Sequence, residues 1–344
     1  MPPYQQPLPG MSVEMIDVRK GDAILVELRD GANRGLTLIV DGGCAEQGVK
    51  VLPYLQTHHA ANAKVVVSTH SDNDHIGGLA DIIAATRPAR VYMNDPRFFQ
   101  NEASIIERAR RELAVEQLER LRAAFERMDG VRTAAAAIPT DVYWVFAGPN
   151  PILTWGQWNI YAVGPTTAHF DDVWFTEGTL AGLYSNDSEE AVEQTRRSGR
   201  GLIDDGTDTS GMNNTSIMLL IEGPGQKVLL TGDGGMRAIR EGHAIKDLSN
   251  LTLFDVPHHG SRRNVDTAIL ELLRPRVAYI SSPGTPKHPR RAVVRKLQHV
   301  GSVVYSTCRT QTETMYYNQN LLRPNYTTIE AWPSLGLLPL PTEQ

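Results

Sequence analysis

The segment STHSDNDHIGG, residues 68–78, places His70, Asp72, Asp74 and His75 within six positions, directly after the apolar run 65–67. A short apolar run bounded by turn residues reads as a buried strand, so this cluster falls at a strand's C-terminal end. Carboxylates held so close repel one another, and each desolvated charge costs several kcal/mol unless it is paired. A divalent cation supplies the compensating charge. The pattern recurs along the chain: LTLIVDGG leads to Asp41, VLLTGDGG to Asp233, and LTLFDVPHHGS to His258 and His259. Open α/β sheets place ligands beyond the carboxyl ends of their strands. A fold that gathers these ends at one edge satisfies all of these charges together.

The intervening sequence supports such a sheet. DAILVEL (22–28) and LTLIVDGG (36–43) predict a hairpin; 49–59 and 78–86 predict helices, and 63–70 and 89–95 strands. This order predicts crossover helices. Strands return at 215–221 and 227–231, joined by Gly-Pro-Gly, and again in LTLFDVP and PRVAYISSPG, with a helix opening in HPRRAVVRKLQ. We expect one domain over 1–344 with two insertions. Residues 101–130 predict one long amphipathic helix, its apolar stripe Ile106, Ala109, Leu113, Leu118, Leu121, Phe125 and Met128, with Ser104 and Glu107 as a capping box and Gly130 as its stop. It reads as a helix packed on the domain, or as a lid or arm for a protein partner or homodimer. Residues 170–211 predict an irregular insertion with a short helix around 188–197.

A net charge of −5 argues against a protein that coats DNA, while leaving room for a local basic groove. The two cysteines, Cys44 and Cys308, lack the spacing of a disulfide framework or thiolate metal site, and are expected to be reduced. The start MPPYQQPLPG has neither the charged nor the apolar region of a signal peptide. No apolar run approaches the roughly 18–20 residues that span a bilayer. The expectation is a cytoplasmic protein with no membrane association. Cys44 and the pair His58-His59 are assigned to packing or a helix surface.

Two metal ions roughly 3.5–4 Å apart require a bridging carboxylate and several His or Asp ligands, with an activated water between them. His70, Asp72, Asp74 and His75 can divide between two ions, because side chains of a tight loop point in different directions. Asp233, with glycine on either side, is the natural bridge. Of the pair that follows the later strand, His259 is favoured over His258 to complete the second ion's shell.

STHSDNDHIGGL resembles the HxHxDH signature of the metallo-β-lactamase superfamily, with Asp72 in place of the middle histidine. With KGDAILVEL, LIVDGG, NNTSIMLLI, VLLTGD, VPHHGS and SSPGTPKHP in order, the chain is similar to the hydrolase domain of ComEC-type DNA-uptake proteins over about 15–95 and 213–300. The resemblance implies an αββα four-layer sandwich and a two-metal hydrolytic site. On it, His70 and Asp72 serve the first ion, Asp74, His75 and His259 the second, Asp233 bridges and Asp41 braces. The histidine that the pattern carries before TSIMLL is here Asn213-Asn214, which leaves the first ion one ligand fewer or an amide oxygen. The membrane channel that accompanies the domain in DNA-uptake proteins has no counterpart in these residues, so direct participation in DNA import is not expected. Oxygen-rich ligation favours harder ions relative to zinc, so manganese and zinc stand level.

Asp74 and Asp233 are therefore the candidate catalytic residues, Asp74 orienting the activated water. Asn214, Ser261, Arg262 and His288 are the candidate substrate or phosphate contacts, with Arg263, Lys287 and Arg290 beside them. Basic residues and free N–H groups at a helix start suit phosphate. The leading expectation is a phosphodiesterase or nuclease. The alternatives are a hydrolase of a small substrate (a nucleotide signal, thioester or lactone) and an adaptor with a vestigial metal site.

Overall fold

The computed structural model describes residues 8–184, 207–285, 288–309, 314–321 and 330–333. Among these, strands form two seven-stranded sheets. The first runs β14 (Thr314–Gln319), β1 (Gly10–Ile16), β2 (Ile24–Arg29), β3 (Gly35–Val40), β4 (Ala63–Ser68), β5 (Arg90–Met93), β6 (Val142–Tyr143). The second runs β13 (Val303–Ser306), β12 (Val277–Ile280), β11 (Leu253–Asp255), β10 (Gln226–Leu230), β9 (Met218–Gly223), β8 (Trp158–Gly164), β7 (Leu153–Trp155). In each sheet one half is antiparallel and the other parallel. β3 to β6 are parallel, as are β10 to β13.

Period-two alternation explains the layering. Ile24, Val26 and Leu28 of β2 and Leu36, Leu38 and Val40 of β3 pack between the sheets with Leu219, Ile221, Val228 and Leu230. The opposite faces bear Leu25 and Ile39, packed under α1 (Gly48–His58), α2 (Leu79–Thr86), α3 (Glu102–Glu112), α4 (Val115–Ala136) and α5 (Thr167–Trp174). On the second sheet, Leu220, Leu229 and Phe254 pack under α6 (Met236–Ile245), α7 (Thr267–Leu273) and α8 (Arg291–His299). The result is the expected αββα sandwich. No helix among the described residues is long and apolar enough to cross a membrane.

The 101–130 segment departs from the expected single helix. It breaks at Leu113-Ala114, where both residues are extended and Gln117 Oε1 accepts from Ala114 N at 3.1 Å. Asn101, not Ser104, is the N-cap: its Oδ1 accepts from Ser104 N at 2.9 Å. Gly130 lies inside α4, which continues to Ala136 because nothing turns the chain at the glycine. Ala109, Leu121, Phe125 and Met128 are buried in the chain's own core, with Ile106, Leu113 and Leu118 against it. The apolar stripe is thus consumed within the molecule.

Of the expected irregular insertion, α5 forms the first part, capped by Thr166 Oγ1, which accepts from His169 N at 3.0 Å. The short helix expected around 188–197 lies outside the described residues. The sequence reading also passed over β1. Its Ser12 and Glu14 look like a solvated face but are buried: Glu14 Oε2 meets His59 Nε2 at 3.0 Å, and Ser12 Oγ donates to Glu14 Oε1 at 2.7 Å. His59 therefore belongs to packing while His58 is exposed, and the cysteines are unpaired.

Phe125, stacked on Trp174 with Arg97 over its ring, makes α4 integral to the fold. Phe125→Ala is expected to lower unfolding stability by about 3–5 kcal/mol, the range for truncating a buried Phe. Urea denaturation checks this; a change within about 0.5 kcal/mol, as for an exposed surface site, would show a detachable arm.

Candidate metal centre

Asp41 directly follows β3, His70 closely follows β4, and Asp233 and His258-His259 lie just past β10 and β11. Parallel neighbours end at the same edge, so these side chains converge where the sheets meet. Asp233, 3% exposed, is central. Its Oδ1 lies 3.3 Å from His75 Nε2, and its Oδ2 lies 3.8 Å from both His70 Nε2 and His258 Nε2. Asp72 Oδ2 is 4.0 Å from His70 Nε2, and Asp74 Oδ2 is 3.7 Å from His259 Nε2. Among the described residues, His70 Nε2, His75 Nε2 and Asp233 Oδ1 are buried with no hydrogen-bond partner. Leaving a buried polar atom unsatisfied costs about 1–3 kcal/mol. Three such atoms facing one space, with two further carboxylates and two further imidazoles, fit divalent cations.

The far side of each ring is anchored. His75 Nδ1 donates to Asp41 Oδ2 at 2.8 Å, and His259 Nδ1 donates to the Ser281 carbonyl at 3.0 Å. Both partners only accept, so Nδ1 keeps its proton and Nε2 is the atom left to face the centre, with a lone pair once the ring is neutral. His70 Nδ1 meets Thr69 Oγ1 at 3.0 Å and Ser216 Oγ at 3.3 Å. Thr69 Oγ1 in turn donates to Asp41 Oδ2 at 2.6 Å, and Thr69 N to Asp41 Oδ1 at 2.8 Å. Asp41 thus contacts His75 directly and His70 through Thr69.

Burial alone would push the Asp233 carboxyl up, but the charges of His258 and His75 hold it well below the usual range. Burial disfavours charge on His75, yet Asp233, Asp41 and Asp22 raise it well above an ordinary imidazole. His259, likewise opposed by burial, is lifted to about 10 by Asp22 and Asp74. Burial and the neighbouring His75 push His70 down. Asp255, behind the site, is raised well above the carboxylate range by burial and by Asp22.

Three residues that sequence reasoning passed over complete the surroundings. Asp22 Oδ1 is 3.6 Å from His259 Nδ1, and Lys20 Nζ is 3.2 Å from Asp74 Oδ2. Gly21 separates them at φ 101°, and a Cβ there would fall 1.7 Å from the Asp74 carbonyl oxygen. The signal was the KGD triplet just before β2. Asn264 Nδ2 donates to the Asp233 carbonyl at 2.7 Å.

The expected substrate contacts divide. Asn214 is buried, and its Oδ1 accepts from Gly235 N at 3.1 Å in the loop after Asp233. Ser261 is buried, and its Oγ accepts from Arg263 N at 3.2 Å. Arg263 reaches Thr207 Oγ1 and the Asp208 carbonyl, each at 3.0 Å, so it ties down a loop. Arg262 and Arg290 are half-buried, and Lys287 lies outside the described residues. His288 stays close, its ring 5.3 Å from that of His258 and 6.1 Å from that of His259.

The family model of the metallo-beta-lactamase superfamily matches residues 16–284. The chain belongs to this superfamily. The superfamily's metal is divalent and commonly zinc, which the clustered histidines and aspartates suit. Over 101 residues, 29% of the chain, it is 33% identical to recombination protein 2 of Haemophilus influenzae, and it spans 13% of that protein's length. Among solved structures, it is similar to Igni18, a metallo hydrolase of Ignicoccus hospitalis, at 15% identity and a TM-score of 0.45, covering 89% of this chain and 98% of that one. It is also similar to YhfI of Bacillus subtilis, a metallo-beta-lactamase fold protein, at 10% identity and a TM-score of 0.45, covering 90% and 100%.

With His75 and His259 raised, this metallo-β-lactamase site carries protons at pH 7 that a cation must displace. Zinc or manganese uptake is therefore expected to release protons, and apparent affinity to rise with pH until these imidazoles are neutral, near 10 for His259. Calorimetry in buffers of different ionisation enthalpy reads the release. Binding without proton release would contradict the arrangement.

Proposed function

We propose that the protein is a metal-dependent hydrolase of phosphodiester bonds, acting on nucleic acid with two divalent ions, zinc or manganese. The observation that carries this reading is the convergence of orphaned imidazole and carboxylate atoms around Asp233. His70 and Asp72 would hold the first ion and Asp74, His75 and His259 the second, with Asp233 available to both. When bound, such ions make water nucleophilic at neutral pH and offset charge developing on a phosphoryl oxygen. Asp74, kept ionised beside His259 and Lys20, orients the attacking water. Lys20, Arg262 and His288 supply positive or donor groups for an anionic substrate at the rim. Similarity to a protein named for recombination supports nucleic acid as the polymer.

Asp233→Asn and His75→Ala are each expected to reduce hydrolysis of an activated phosphodiester by more than about 100-fold, since outer partners of metal ligands alone are worth about 10–100-fold. The far-UV circular dichroism spectrum should stay unchanged. Full activity in both variants would remove the assignment. A protein that neither binds zinc or manganese nor gains activity from them would point to the adaptor reading.

A small-substrate hydrolase is the second reading, favoured by the net charge of −5 and by the commitment of Arg263 to the 207–208 loop. Salt dependence separates the two. Binding of an uncleavable single strand to the Asp233→Asn variant should fall with salt at a log–log slope of about −0.7 per phosphate contacted, or roughly −2 to −4 for several contacts. Arg262→Glu should flatten that slope. No binding at low salt would favour the small substrate.

A further inference from the structure

We propose that His258 is the third protein ligand of the first metal site, beside His70 and Asp72. This rests on the two-metal reading above. The two oxygens of Asp233 face different sets of side chains. Oδ1 faces His75, which packs against His259, itself beside Asp74. That side has three ligands besides the bridge. Oδ2 faces His70, with Asp72 behind it, and at the same 3.8 Å it faces His258 Nε2. Without His258 this side has only two, because Asn213 is the residue packed here and its Nδ2 abuts His258 Nδ1 at 3.2 Å rather than Asp233.

The ring of His258 is held as a ligand's would be. Its Nδ1 lies 3.2 Å from both Asn264 Oδ1 and Asn213 Nδ2, so two amides hold that edge of the ring and leave Nε2 facing Asp233. The same Asn264 binds the Asp233 carbonyl, so one amide fixes both ligand and bridge. The backbone separates the two histidines. His258 (φ 50°, ψ 50°) and His259 (φ 57°, ψ 27°) are consecutive left-handed residues, a rare conformation outside glycine that persists where the surroundings over-determine it. It sets their rings 5.8 Å apart at 75°, with His258 Nε2 toward Asp233 Oδ2 and His259 Nε2 toward Asp74 Oδ2.

Titrating the metal-free chain of 344 residues with Mn²⁺, followed by calorimetry and electron paramagnetic resonance, tests this. The wild type should take two equivalents and show a spin-coupled pair. His258→Gly, which suits the left-handed backbone, should keep one equivalent and show isolated Mn²⁺, its second site weakened at least about tenfold. Asn213→His in the His258→Gly background should restore the second equivalent. His258→Asn, which also tolerates this conformation, gives the same comparison should the glycine variant not fold. Two equivalents with unchanged affinities and an intact coupled signal in either His258 variant would overturn the assignment. A wild type that takes no Mn²⁺ would overturn the two-metal reading itself, a result distinct from loss of one site in the variant alone.

Discussion

An ionised carboxylate taken out of water needs positive charge around it, and Asp233 is the point at which the sandwich meets that demand. It occupies the junction of the sheets, with imidazoles from β4's end and from the turn after β11 closing on its two oxygens. The backbone there has no room for side chains on either neighbour. A Cβ on Gly232, at φ 51°, would lie 2.8 Å from Thr69 Cβ, and one on Gly234 would lie 2.7 Å from Met218 Sδ. Glycine on both sides of Asp233 is thus a condition for bringing the second sheet's carboxylate to the first sheet's histidines.

The same logic extends outward. Asp41 is fully buried, and it fixes His75 directly and His70 through Thr69. Its own backbone is left-handed, at φ 60°, at the turn immediately beyond β3. The helical insertion takes part as well. Arg127 Nε on α4 donates to the Ser71 carbonyl at 2.8 Å, within the loop that carries His70 and Asp72. Because α4 is anchored by Phe125, Met128 and Leu121, core packing about two turns long sets the position of the loop that carries His70 and Asp72.

Strand-end chemistry was legible because each candidate ligand follows an apolar run too short to be anything but a strand. His70, Asp74, His75, Asp233 and His259 were all marked this way, and the structure brings them together. What the chain hides is set by tertiary context. Ser12 and Glu14 alternate like an exposed face, and their burial rests on tertiary partners such as His59, 45 positions beyond Glu14. The break at Leu113-Ala114 carries no glycine or proline, so helical periodicity runs straight through it. Asp22 precedes a strand where the other acids follow one, and a search for residues after strand ends passes it by. Asn213 and Asn214 are indistinguishable as a pair, yet one faces His258 and the other Gly235. No local pattern assigns those directions.

Placing His258 beside Asp233 Oδ2 changes the balance between the two halves of the centre. Counted from the pattern alone, the first half is poor in nitrogen and the second is rich. With His258 included, each half has two imidazoles, one aspartate of its own and a share of Asp233. Ligand type then gives neither half a strong preference for zinc over manganese, since both offer the same mixture of nitrogen and carboxylate oxygen. What still distinguishes them is access. The Asp72 side chain is 27% exposed, whereas that of Asp74 is 12% exposed and covered by Lys20. Water reaches the first half more readily and screens its charges more. On that proposal, a difference in metal retention between the halves would trace to solvent access at Asp72 rather than to a missing ligand.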